Sequence, residues 1–357
     1  WARLTGSVPT ASFTVTKLRW LAEHEPDAAA RTAHVMLPHD WLTWRLGHRA
    51  HEPVTDRGDA SGTGYFSPAT GRWLPELAEA ALGRPAGLPR LAAPAEIAAR
   101  TPGGAALSAG TGDNMGAALG LGLGLGEVVV SIGTSGTAYA VAAEAAADET
   151  GAVAGFADAT GRFLPLVATI NAARVLTVTA RMLGTDAGGL SRLALAAPPG
   201  AQGLTLLPYL DGERSPNRPG ANGVLRGLTS ANSTQENLAR AAVEAVLCSL
   251  ADAIDNLADC GITARRVILI GGAARSEAVR RIAPAIFGVP VTVPEPAEYV
   301  ALGAARQAAW ALSGAPEAPA WPLAGAAAEH TAEPAPQVRA QYAALRDATA
   351  AWGVTGG

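Results

Sequence analysis

SAGTGDNMGAALG, Ser108–Gly120, sets one acidic residue, Asp113, between glycines and the start of a helix near Asn114. Two further glycine turns follow, SIGTSGT at Ser131–Thr137 and LIGGAARS at Leu269–Ser276, each directly after a β-branched run. A carboxylate in a tight turn can take a proton from a hydroxyl, and glycine turns let backbone N–H groups approach phosphate oxygens. Three such turns, in this order and with this spelling, point to a phosphate-handling α/β enzyme.

Around these turns, strands alternate with helices from residue 106 onward, the texture of an α/β layer. EVVVSIGTSGTAYAVAA (Glu127–Ala143) reads as a hairpin. RFLPLVATI (Arg162–Ile170) reads as a strand, and so does the start of LTLLPYLDGERSP (Leu204–Pro216). Ser233 with Glu236 forms a capping box. Behind it Leu238, Val243, Val246, Leu247, Leu250, Ile254 and Leu257 recur at helical spacing up to Gly261. RRVILIGGAARSEAVRRIAPAIFG is strand, glycine turn and helix, VPVTVPEP a further strand, and AEYVALGAARQAAWALSG a helix of small residues able to pack closely. APEAPAWPLAGAAAEHTAEPAP reads as an Ala/Pro-rich connection before a final helix, Gln337–Trp352. Residues 1–105 are mainly helical with irregular connections, including helices in Thr14–Pro26 and from Pro38 to Gly47 and a turn-rich loop at Asp59–Trp73. The expected division is therefore residues 1–105 and 106–357.

Composition narrows the function classes. The chain has 357 residues, 49% of them hydrophobic and 16% charged, which suits a globular protein with core enough for two domains. A net charge of −4 argues against a nucleic-acid or membrane-surface binder. No secretory signal or membrane-length apolar run is visible. Cys248 and Cys260 fall on one expected helix, roughly 18 Å apart at 1.5 Å per residue, too far for a disulfide. Two unpaired thiols suit a reducing cytoplasm. Lys17 is the only lysine, so no GKS or GKT loop exists and a Walker-type NTPase is excluded.

Each chemical reading competes with a plainer one. Asp113 can be a helix cap or a general base that orients and deprotonates a sugar hydroxyl, with Asn114 on a neighbouring hydroxyl. Gly133, Thr134, Ser135 and Gly136 make either an ordinary hairpin turn or a nest of N–H groups and hydroxyls around phosphate. Gly271 and Gly272 either turn the chain or give a flat adenine or ribose a surface to rest on, with Ser276 on the following helix; the dinucleotide fingerprint GxGxxG is not present there. The loop DGERSP (Asp211–Pro216) is surface ion pairing or part of a cleft. Trp20, Trp41, Trp44 and Trp73 are read as core or domain-interface packing. His24, His34, His39, His48, His51 and His330 show no zinc spacing and are read as surface or core residues.

Read together, GTGDNMGAALG, SIGTSGTAYAV, LLPYLDGERSPNRPGANGVLRGLT, LIGGAARSE and EYVALGAARQAA resemble the C-terminal half of the FGGY carbohydrate kinases. SFTVTKLRWLAEHEP, LPHDWLTWRLG and DASGTGYFSPATGRW resemble the end of that family's first domain. The likeness covers nearly all of residues 1–350 and is strongest to the branch acting on D-xylulose. It implies an α/β, two-domain ribonuclease H-like (actin-like ATPase) fold with sugar and ATP meeting between the domains. It also implies ATP-dependent phosphorylation of a ketopentose, D-xylulose to D-xylulose 5-phosphate, with ATP and Mg2+ as cofactors and a small-molecule sugar as partner. A homodimer is an assembly it leaves open.

The resemblance makes Asp113 the catalytic base and a sugar ligand, with Asn114 beside it on the sugar. Gly133, Thr134 and Ser135 approach the ATP phosphates. Gly227, Gly271, Gly272, Ala273 and Ser276 line the nucleotide pocket, and metal ligands stay unassigned. Alternatives are another FGGY kinase for ribulose, gluconate or glycerol, or a non-catalytic nucleotide-binding module. The family's opening strand and DxGT-type phosphate hairpin do not precede Trp1, so the first domain is expected to be truncated by roughly a hundred-odd residues. Activity of this chain alone is then in doubt.

Overall fold

The structure, a computed structural model, describes residues 1–322 and 327–352. The chain divides into two compact units. One contains Trp1–Leu125, Ala140–Pro165 and Ala297–Leu323; the other contains Gly126–Tyr139, Leu166–Pro296 and Ala324–Gly357.

The second unit is built on the strands around the glycine turns. Their order across the sheet is Ala328–His330, Val291–Val293, Arg266–Ile270, Glu127–Ile132, Gly136–Ala140 and Phe163–Thr169. Arg266–Ile270 runs parallel to Glu127–Ile132, with Ile270 opposite Ser131, and parallel to Val291–Val293. Val128, Val129, Val130, Ile132, Val267 and Leu269 are all fully buried. Neighbouring residues of a strand face opposite sides, so both faces of the sheet are covered here, and the sequence runs apolar without alternation. The edge strand Ala328–His330, antiparallel to Val291–Val293, corrects the reading of that stretch as plain connection. Its three residues are short and two-thirds polar, and backbone pairing, not side-chain pattern, makes it a strand. Residues 323–326 of the same connection lie outside the described residues.

Helix Gln235–Asp259 packs against Ala173–Met182, Ala187–Ala196 and Glu277–Phe287. Its buried face carries Val243, Val246, Leu247, Leu250 and Leu257, the positions that recur in the sequence. The capping box is one residue out, however. Thr234 is the cap and its hydroxyl accepts the Asn237 N–H at 3.2 Å, while Ser233 donates to the Thr229 carbonyl. The helix contains Cys248 and is followed by Cys260, and the two form no disulfide. Arg346 and Arg339 of helix Pro336–Ala348 reach the half-buried Asp252 at 2.6 and 3.2 Å, tying the last helix to the long one.

In the first unit, helices Thr14–His24 and Pro75–Leu82 close over Phe13, Val15, Leu18, Tyr65 and Leu82. Trp73 packs on Tyr65 and Phe66. Trp20 and Trp41 are 54% and 46% exposed, so the four tryptophans do not form one packing cluster. Helix Asp113–Leu121 is buried from Met115 to its end and lies against helix Tyr299–Ser313. A Cβ on Gly303 would run into the Gly116 carbonyl oxygen, and one on Gly120 into that of Tyr299. Only glycine lets two helix backbones approach this closely. Among the described residues no helix is long and apolar enough to cross a membrane.

Candidate active site

The strand Ala106–Ser108 delivers the chain into the turn Gly110–Gly112, and Asp113 is the first residue of the helix that follows. Gly112, not Asp113, occupies the cap position, and no side chain caps this helix. The Asp113 carboxylate is exposed. Its Oδ1 accepts the Asn114 backbone N–H at 2.7 Å and the Asn114 side-chain amide at 2.8 Å. Oδ2 has no partner among the described residues. A carboxylate oriented through one oxygen and open at the other can accept a proton from a hydroxyl, so the plain capping role is displaced. Gln307, only 2% exposed, donates to the Gly110 carbonyl at 2.7 Å and holds the turn from helix Tyr299–Ser313.

Beneath the same turn lies a charged cluster that the sequence reading passed over. His39 Nδ1 is 2.7 Å from Asp40 Oδ1, and its Nε2 is 2.9 Å from Asp56 Oδ1 and 3.0 Å from Asp59 Oδ2. Burial works against a charge on this ring, yet the hydrogen bonds to Asp40, Asp56 and Asp59 outweigh it and push its pKa up to about 12. Burial also raises the Asp56 carboxyl, with His39 pulling it back. From the sequence alone His39 is an ordinary surface or core histidine. The available signal was a histidine next to one aspartate with two more at Asp56 and Asp59, but nothing local says that these segments meet.

In the second unit, the turns at Gly133–Ser135 and Gly271–Gly272 leave the same ends of two neighbouring parallel strands, where α/β sheets bind ligands. A Cβ on Gly271 would stand 2.7 Å from the Ile132 carbonyl oxygen, so the sequence places these turns side by side. Gly133 N–H donates to Ser135 O at 3.0 Å, and Gly133 O accepts from Ala173 N–H at 2.9 Å. Thr134 and Ser135 are exposed at the tip. Gly272–Arg275 is a single 3-10 turn, after which Ser276 caps helix Glu277–Phe287.

Gly272, Ala273 and Ser276 line a cavity of about 1040 Å³ whose far wall comes from helices Ala173–Met182 and Ala187–Ala196. Arg181, Arg192, Arg275 and Arg280 also line it, against the acids Asp186 and Glu277, an excess of positive charge suited to a phosphorylated ligand. Gly227 is not among its lining residues. It sits at φ +84° against Gly203, with its carbonyl held by Asn232 at 2.8 Å. The DGERSP loop is ordered from inside, since Glu213 is 1% exposed and accepts the N–H groups of Ile170, Asn171 and Arg214. Surface ion pairing therefore describes only Asp211, which meets Arg174 at 2.5 Å.

The model of the N-terminal domain of the FGGY family of carbohydrate kinases matches residues 2–121, and that of the family's C-terminal domain matches residues 128–312. The chain is 46% identical over 322 residues to the xylulose kinase of Streptomyces coelicolor, a match covering 88% of this chain and 64% of that protein. It is 45% identical, with the same coverage, to the xylulose kinase of Streptomyces rubiginosus. The chain thus spans about two-thirds, strictly 64%, of the length of these curated relatives. The crystal structure of xylulose kinase from Bifidobacterium adolescentis superposes with a TM-score of 0.89 at 44% identity, over 97% of this chain and 74% of that one.

Proposed function

The chain belongs to the FGGY family of carbohydrate kinases, and on that premise we propose that the protein transfers the γ-phosphoryl group of ATP to D-xylulose, giving D-xylulose 5-phosphate. The observation that carries the choice of sugar is the identity of 45–46% with two xylulose kinases. In this reading Asp113 accepts the proton of the attacked hydroxyl through its open oxygen as the new O–P bond forms and ADP leaves. Asn114 orients the carboxylate and meets a neighbouring hydroxyl. General-base help of this kind contributes about a hundred- to ten-thousandfold, with positioning and charge neutralisation supplying the rest.

ATP is a substrate here. Thr134 and Ser135 offer exposed hydroxyls to its phosphates from the turn that Gly133 closes, while Gly272, Ala273 and Ser276 form the floor for the nucleoside and Gly271 sets the turn against Ile132. A Cβ on Gly272 would meet nothing within 4 Å, which leaves room for a ligand against its backbone. Gly227 lies outside the lining of this cavity and is given no contact with the nucleotide in this reading. Mg2+ enters with ATP and no ligand on this chain is assigned to it. Among the described residues the one grouping with metal-ligand spacing is His39, Asp56 and Asp59, and a ring ion-paired to carboxylates at both nitrogens does not fit a metal. The cytoplasm, where the sugar, ATP and two cysteines without a disulfide coexist, is the compartment this reading expects.

A coupled ADP-release assay on the complete gene product, run over pentuloses, hexuloses, glycerol and gluconate, tests the proposal. The highest kcat/KM is expected on D-xylulose. A preference for glycerol or gluconate would remove the xylulose assignment, and no sugar-dependent ADP release at all would remove the kinase reading.

A further inference from the structure

The charged cluster under the Asp113 turn is not accounted for by the roles assigned so far. The carboxylates of Asp40 and Asp56 are 1% and 5% exposed on their side chains, and that of Asp59 is 34% exposed. Carboxylate oxygens stand 2.7 Å from its Nδ1 and 2.9 and 3.0 Å from its Nε2, and ion pairing on both sides favours the charged ring over the penalty of its burial. His39 is an imidazolium, held by three acids from two segments of chain.

Those acids are themselves fixed. Asp56 caps the short helix Arg57–Ser61, its Oδ2 accepting the N–H groups of Gly58 at 2.6 Å and Asp59 at 3.2 Å. With Asp56 tied to its own helix and to His39, the ring also sets where the Asp59 carboxylate stands. Asp59 Oδ1 lies 2.5 Å from where a Cβ on Gly112 would be, and the His39 ring lies 3.7 Å from a Cβ on Gly110. One step further along, Gly58 packs against the Met115 side chain. The imidazolium and its acids are thus the floor on which Gly110–Met115 rests, and Asp113 is the residue directly after the contact with Asp59.

We propose that His39 is a positioning residue for phosphoryl transfer: by clamping Asp59 against Gly112 it fixes the turn that carries the Asp113 carboxylate. This rests on Asp113 being the base. A misplacement of about 1 Å at a reacting group can cost about a hundredfold in rate, so a floor that holds the turn from below acts on turnover without touching either substrate.

The test uses the complete gene product. His39→Gln keeps one donor and most of the volume but removes the charge. It is expected to lower kcat by about ten- to a hundredfold, while the KM for ATP stays within about twofold. His39→Lys returns a cation of similar reach and is expected to recover most of the turnover. A role in folding alone would reduce the amount of folded enzyme and leave kcat per ATP-binding site unchanged. Folded His39→Gln with kcat within about twofold of wild type overturns the proposal, and so does a Lys variant no better than Gln. If His39→Gln does not fold, Asp59→Asn, at a partly exposed side chain, is judged by the same kcat and KM criteria. Nitrogen NMR of the His39 ring at pH 9 gives a readout independent of activity. Both nitrogens protonated is expected; a neutral ring, or one that shifts on adding Mg2+ alone, overturns the clamp. Asp113→Asn is measured in parallel. If it leaves turnover intact, the base assignment falls and the clamp with it. If it abolishes turnover while His39→Gln and Asp59→Asn do not change it, the clamp alone falls.

Discussion

The turn at Gly110–Asn114 in the first unit and the turn at Gly271–Gly272 in the second are both short links from strand to helix marked by glycine, yet their glycines make room for different things. Gly112 yields to the Asp59 carboxylate and Gly110 lies over the His39 ring. Gly271, at φ +92°, yields to the backbone of Ile132 on the neighbouring strand. Gly272 yields to nothing in the chain and borders the cavity. A glycine pressed against protein atoms is a requirement of the fold. A glycine facing open space beside a cavity makes sense only if something outside the chain comes close. Three of these four positions therefore speak about architecture and one about a ligand, although the sequence spells them alike.

The largest expected effect comes from the residue that the first turn presents. Asp113→Asn in the complete gene product keeps the shape and the contact with Asn114 but cannot accept a proton. Turnover should fall by at least about a hundredfold while ATP affinity stays near wild type, measured by ADP release and by equilibrium nucleotide binding. Because no side chain caps this helix, thermal stability should hardly move. Retention of more than about a tenth of wild-type turnover, short of the usual loss for such a base, would mean the first turn is architecture like the others.

Next comes the glycine fixed by its own backbone. Gly271→Ala places a methyl group 2.7 to 2.8 Å from three backbone atoms of Ile132, at a φ that L-residues rarely adopt. At φ +92° and ψ 173° the backbone lies in a region essentially reserved for glycine, which costs about 1–3 kcal/mol for a residue with a Cβ, and the clash adds to it. A loss of more than about 2 kcal/mol is expected from urea unfolding. A variant within about 0.5 kcal/mol of wild type would show that the two strand ends can part, and the contrast with Gly272 would lose its basis.

How much of this was legible in the sequence follows the range of the interactions. The hairpin around Gly133–Ser135 and the strand before Gly271 could be read because apolar runs and glycine turns are local signals. The long helix could be read for the same reason, and only its cap was misplaced, from Thr234 to Ser233, since adjacent hydroxyl residues compete for that position on geometry alone. Strand Ala328–His330 was hidden because an edge strand of three residues needs only backbone pairing. The His39 cluster was hidden for a stronger reason. Its partners Asp56 and Asp59 lie seventeen and more positions away, and the ring's charge exists only once they converge. The Glu213 carboxylate is similar, since its acceptors' role depends on Ile170 and Asn171 more than forty residues upstream. Asp113 could be nominated from its turn, but what holds it in place could not.

The smallest expected effect is the one that separates the two glycines of the second turn. Gly272→Val adds its side chain where the fold leaves space, in a turn whose φ is ordinary. Stability should change by less than about 0.5 kcal/mol, the usual range for a substitution that meets no neighbours. The added methyl groups would occupy part of the cavity floor beside Ala273 and Ser276. ATP should therefore bind more weakly, by about tenfold, equivalent to about 1.4 kcal/mol, while the KM for sugar is unaffected. Gly272→Ala should lie between, because its single carbon fills less of the same space. A graded loss of ATP affinity with unchanged unfolding is the pattern of a ligand surface. If instead Val leaves ATP affinity at the wild-type value with the fold intact, the nucleotide does not rest on this turn. Gly272 would then join Gly271 as a matter of chain geometry, and the cavity would need another occupant.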